Sequence, residues 1–168
     1  MAESDHKTRI LEKSSELFLQ YGIRSVSMDD IAGALGMSKK TIYQYFADKD
    51  ELVNEVIQVI MVDNEQHCSH DSIVAENAVD EMMKAMEMME EMFRTMNPSV
   101  LFDLKKYHPK AFLEFEKHKN EYIFNIIRDN LERGIREDLY RSDLNIDIIA
   151  HMRINTMMLA FDLSLFNK

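Results

Sequence analysis

Two helix starts stand close together near the beginning of the chain with a glycine between them: Ser27 with Asp30, then Gly36, then Ser38. Ser27 and Asp30 have the form of a capping box, in which hydroxyl and carboxylate cover backbone amides that the first turn of a helix leaves free. Gly36 can take the positive φ that stops a helix, and Ser38 is an N-cap candidate directly after it. The spacing predicts one short helix from Ser27 to Gly36 that buries Met28, Ile31, Ala32 and Leu35. A second opens at Ser38 and runs through Phe46. Two short helices across a tight glycine turn are the helix-turn-helix pattern.

The same reading extends along the chain. Only four Gly and two Pro occur in 168 residues, and the long Leu, Met, Glu, Lys and Ile stretches lack the alternation that strands need, so the fold class is all-α. A first helix is expected from about Lys7 to Tyr21, with Ile10, Leu11, Ser14, Leu17, Phe18 and Tyr21 on one face and Gly22 as its stop. After the extended link from Ile23 to Val26 and the helix-turn-helix pair, Asp48 with Glu51 caps a longer helix whose Leu52, Val56, Ile57 and Ile60 face inward. Residues 63–73 are polar and without helical period, which reads as a linker or loop before a helix from about Val74 to Met96. Pro98 and Pro109 suit first helical turns, so a short helix at 98–106 precedes a long one at 109–133 that buries Phe112, Phe115, Tyr122, Ile126 and Ile127. Gly134 ends it. The last helix, about Ile146 to Leu165, is apolar around much of its circumference and needs a partner such as a second subunit. The expected organisation is a three-helix helix-turn-helix domain over 1–50 followed by a helical domain over 51–168.

Charge bears on what such a helix pair can meet. The net charge is −10, which opposes binding to a polyanion. Residues 1–50, however, hold seven Lys/Arg against eight Asp/Glu, while the remainder holds thirteen against twenty-two. A near-neutral head on an acidic body is compatible with DNA binding at one end. The polar, acidic start MAESDHKTR is no secretory signal, and the most apolar run, Val56 to Val62, contains Gln58 and is too short for a membrane span. With Cys68 as its one cysteine, the chain fits a reducing compartment, and the cytoplasm is the expected location.

The segment SMDDIAGALGMSKKTIYQYFADKDEL, Ser27 to Leu52, resembles the DNA-binding signature of the TetR family of bacterial regulators. The matching positions are Arg9, Ile31 with Ala32, Gly36 with Ser38, the run Tyr43 to Phe46, and Lys49 with Leu52; Ser14 and Ser15 depart from it, since a small apolar residue is usual there. Read physically, Ala32 is small where two helices cross, and Ile42 and Phe46 anchor the second helix inward. Ser38, Lys39, Lys40, Thr41 and Gln44 are then left to meet base edges in a major groove. Tyr43, Tyr45 and Lys49 suit phosphates, as their family counterparts do, and Ser27 offers a further amide or hydroxyl contact. The resemblance implies a homodimer on a palindromic double-stranded operator, acting as a repressor that a small molecule releases. It also implies two long closing helices, so that here the last is missing or truncated, or the body is rearranged.

Seven methionines crowd residues 82–96. Their flexible, polarizable side chains suit either an adaptable pocket or a loosely specified core, and in the family this region contributes to an inducer site. Met82, Met86, Met89, Phe93, Phe112, Phe115, Tyr122 and Ile126 are the expected ligand residues, with Met88 off the main stripe. His67, Cys68, His70 and Asp71 are metal-capable types, but no second cluster has ligand spacing, so neither a metal nor a cofactor is expected. No nucleophile with its base and no phosphate loop is present, so the chain is not expected to be an enzyme. The alternative is a helical ligand-binding or metal-sensing dimer that binds no specific operator.

Overall fold

The computed structural model describes residues 2–159 and 161, with side chains from Asp5 onward. Helices form α1 (Ala2–Tyr21), α2 (Met28–Leu35), α3 (Lys39–Ile42), α4 (Lys49–Val74), α5 (Ala78–Thr95), α6 (Ser99–Tyr107), α7 (Pro109–His118), α8 (Phe124–Arg136) and α9 (Ile146–Leu159). The π-helical turn Lys119–Ile123 joins α7 to α8. Among the described residues there is no strand, and the all-α reading stands. The expected end of the last helix at Leu165 lies outside the described residues.

The chain divides into two compact units, Met1–Val62 with Thr95–Glu114, and Asp63–Arg94 with Phe115–Lys168. In the first, α1 contributes Ile10 and Phe18 to a core completed by Ile31, Ile42, Phe46, Leu52, Val53 and Val56. Gly22 closes α1 at φ +86°, and a Cβ there would lie 2.5 Å from Ser99 Oγ, so α6 packs tightly against this turn. Buried Asp103 of α6 accepts the Arg24 backbone N–H at 2.8 Å and holds the link that follows.

The second unit is organised around Arg133. Its guanidinium donates to the carbonyls of Ser72 and Ala75 (3.2 and 3.0 Å) and pairs with Glu81 (3.1 Å) and Glu137 (2.7 Å). A cation on the last carbonyls of α4 satisfies groups the helix cannot bond itself and opposes its dipole. Glu137 in turn accepts the Ala78 N–H at 2.7 Å where α5 begins.

Three expectations are corrected. Residues 63–73 are not a loop: they complete α4, because their half-buried face consists of Asn64, Glu65, Cys68 and Asp71, a helical repeat written in polar residues that hydropathy does not register. Gly134 does not stop α8. The helix runs to Arg136 and ends with Asp138 at φ +57°, Leu139 N–H bonding Gly134 O and Asp138 N–H bonding Ile135 O, a Schellman closure built without glycine. Phe112, Phe115, Tyr122, Ile126 and Ile127 are partly exposed rather than buried.

Candidate nucleic-acid interface and ligand cavity

The capping box forms as spaced. Ser27 N–H donates to Asp30 Oδ2 at 2.7 Å and Asp30 N–H to Ser27 Oγ at 3.2 Å. The Ser27 hydroxyl, which donates to Asp30 Oδ2 at 2.6 Å, and then the Ser27 backbone N–H hold the Asp30 carboxyl below the usual carboxylate range. Gly36, at φ +63°, ends α2 with Met37 N–H on Ala32 O at 2.9 Å. The chain can then turn at once into α3, where Ser38 Oγ accepts the Thr41 N–H at 3.1 Å and lies 2.8 Å from the Thr41 hydroxyl. The second helix is shorter than expected. After Ile42 the bonds Gln44 N–H to Thr41 O and Tyr45 N–H to Ile42 O tighten the last turn into 3₁₀ spacing, which still swings Phe46 into the core.

This geometry brings the residues expected to meet DNA onto one edge. Ser38, Lys39, Lys40, Tyr43 and Gln44 are exposed, and Thr41 and Tyr45 are half-buried. Lys39 reaches back to Asp29 of α2 at 2.8 Å, and this bond raises its pKa. Lys40 has no ion pair among the described residues. Ser27 is exposed but committed to its cap. Lys49 stands apart from this edge: its ammonium donates to the carbonyls of Ile23 (2.6 Å) and Val26, and lies 5.7 Å from the Phe18 ring centroid. Burial lowers its pKa in spite of nearby Asp103. Its charge fastens the link between α1 and α2 instead of facing outward.

The second unit contains a cavity of about 540 Å³, within the usual range of small-molecule sites (roughly 300–1,000 Å³). Met82, Met86, Met89, Phe93 and Ile126 line it as expected, whereas Phe112, Phe115 and Tyr122 do not. Tyr122 instead donates to Glu65 O at 3.1 Å and stacks on His118 at 5.1 Å. Met88, expected off the stripe, lines the cavity, as do Cys68 and Asp71 of α4 and Met152, Arg153 and Met157 of α9. The α9 residues are not singled out by the sequence because apolar residues are spread around much of their helix, so no one face stands out; that same spread is the one signal that something has to cover it. Burial, foremost, raises the Cys68 thiol pKa. His67 bonds the Asp63 carbonyl of its own helix at 2.7 Å, and among the described residues no three His, Cys, Asp or Glu side chains gather as a metal site.

A capped helix-turn-helix with polar and basic groups along the exposed edge of its second helix, in an all-helical chain, defines a DNA-binding regulator. The family profile described as "Bacterial regulatory proteins, tetR family" matches residues 10–56. The HTH-type transcriptional regulator YvaF of Bacillus subtilis is 30% identical over 156 residues, spanning 92% of this chain and 80% of its own. The chain belongs to the TetR family of bacterial transcriptional regulators. It is also 22% identical, over 87% of its length and 74% of the other, to the HTH-type transcriptional repressor KstR2 of Mycobacterium tuberculosis. A regulator from Saccharomonospora viridis in complex with choline has the same fold, with TM-score 0.76 at 18% identity over 92% of this chain and 82% of that one.

Proposed function

We propose that this regulator is a repressor that binds a palindromic operator as a homodimer and is released when a small molecule fills the cavity of its helical body. The observation that carries the DNA half is the exposure of Ser38, Lys39 and Lys40 at the start of the second helix of a capped helix-turn-helix, with Gln44 exposed in the turn just after it. Residues 1–50 read the DNA, and residues 51–168 bind ligand and dimerise. Tyr43 and Tyr45 set register on phosphates. Support for a partner subunit comes from α9, which leaves Ile148, Met152 and Leu159 more than half exposed at helical spacing. The chain acts by binding, without catalysis, in the cytoplasm. Likeness to KstR2 favours repression, and the choline-bound neighbour favours a small-molecule ligand.

Release follows if the ligand binds the DNA-incompetent arrangement more tightly than the competent one, since only that difference shifts the equilibrium. The test is selection of binding sequences from random duplexes by the purified chain and by the variant carrying Lys39→Ala, Lys40→Ala and Gln44→Ala. The expected result is a palindromic consensus with half-sites about 34–36 Å apart, absent with the variant. No enrichment even at low salt would sink this reading in favour of a ligand-binding dimer without an operator.

A further inference from the structure

Among the cavity-lining charges, Arg153 lacks a carboxylate. Glu81, buried at the same wall, is paired with Arg133 at 3.1 Å. Half-buried Arg153 has no carboxylate within ion-pair distance among the described residues. Its contacts are the amide oxygen of Asn130 at 3.4 Å and the face of Tyr140, 5.9 Å from the ring centroid. A guanidinium carries five N–H donors and keeps its proton in a protein, so beside one neutral oxygen at 3.4 Å Arg153 keeps donors with which to receive an anion.

The groups that orient it are themselves well held. Asn130 is buried and donates to the Ala78 carbonyl at 2.9 Å, and Tyr140 donates to that same carbonyl at 3.1 Å. Such support places a cation before any ligand arrives and lowers the cost of ordering it. Asp71 also lines the cavity and works against an anion there, but among the described residues no side-chain bond fixes its carboxylate. The remaining wall is chiefly methionine, isoleucine and phenylalanine, which suits a flexible hydrocarbon body.

We propose that the ligand of this cavity is an anionic amphiphile, an apolar chain whose acidic head group is received by Arg153. This rests on the cavity being the ligand site, and the experiment separates the two claims. Dodecanoate, dodecanol and dodecyltrimethylammonium share one chain and differ in head group. Their binding to the intact protein is measured calorimetrically below their micelle-forming concentrations, beside Arg153→Gln, Asp71→Asn and Ala85→Phe. The wild-type chain should bind dodecanoate about tenfold or more tighter than dodecanol, with the ammonium compound weaker still. Arg153→Gln should bring dodecanoate to the level of dodecanol and leave dodecanol unchanged, whereas Asp71→Asn should tighten dodecanoate. Ala85→Phe, which fills the cavity, should weaken all three. Equal binding of acid and alcohol, or preference for the ammonium compound, with Ala85→Phe still blocking, overturns the head-group assignment and leaves the cavity as the ligand site. No binding by any of the three, or binding indifferent to Ala85→Phe, overturns both.

Discussion

Ser14 is fully buried in α1, and its hydroxyl has no hydrogen-bond partner among the described residues. At that position TetR-like chains usually carry a small apolar residue, and the structure supplies the reason: the site has room for the side chain but nothing to satisfy its oxygen. Ser14→Ala should therefore raise stability by about 1 kcal/mol and the thermal midpoint by about 2–4 °C, with DNA affinity unchanged. A lower midpoint would mean that the hydroxyl is bonded after all. His118 supplies a pH term of definite sign. Burial outweighs Glu65, 3.3 Å away, and lowers its pKa from the ordinary 6.5. The unfolded chain then binds this proton more readily than the folded one, so the group's contribution is present above pH 6.5 and lost as pH falls through the lowered value. Urea midpoints compared at about pH 7.5 and about pH 5 should fall less in His118→Gln than in the wild type.

At the scale of elements, the end of α8 and the start of α5 are one construction. Gly134 leaves the space that the Tyr140 ring fills, since a Cβ there would stand 2.0 Å from ring carbon Cδ2. The Tyr140 hydroxyl then reaches the Ala78 carbonyl. Gly134→Ala gains helix propensity but must expel that ring, and it should cost about 1–3 kcal/mol, read as a lower denaturant midpoint. Were the glycine a helix stop, as its place in the sequence suggests, the same change would act through backbone strain and leave Tyr140 undisturbed; Tyr140→Ala combined with Gly134→Ala distinguishes the two, because without the ring the alanine should be tolerated. The helix-turn-helix, by contrast, is closed by contacts between neighbours in sequence. Ser27 with Asp30, Gly36 with Ala32 and Gly33, and Ser38 with Thr41 all act within a few residues, which is why its elements could be read directly from residue spacing. The difference lies at the end of α3, where after Ile42 the bonds of Gln44 and Tyr45 take 3₁₀ spacing.

For the molecule as a whole, a net charge of −10 makes DNA affinity depend on a few cations, and hence strongly on salt. On the selected operator, anisotropy titrations over a series of salt concentrations should show affinity falling log-linearly. Lys40→Ala should flatten that slope by about one. Lys39→Ala should flatten it less, because Asp29 already neutralises that ammonium; equal changes would show that the Lys39–Asp29 pair opens on DNA.

What the amino-acid order determined alone was the all-helical class, the capped helix pair and the row of side chains on its exposed edge, because caps, glycine turns and helical period act over a few residues. The tertiary structure decided the rest. It turned Lys49 from an outward cation into a strap on the Ile23 and Val26 carbonyls, continued α4 through a polar half-buried face, and gathered Met88, Cys68 and Arg153 around a cavity that omits Phe112, Phe115 and Tyr122. Those outcomes depend on which distant residues come to face one another, and a helix that is polar on its inner face or apolar around much of its circumference carries no local mark of that choice.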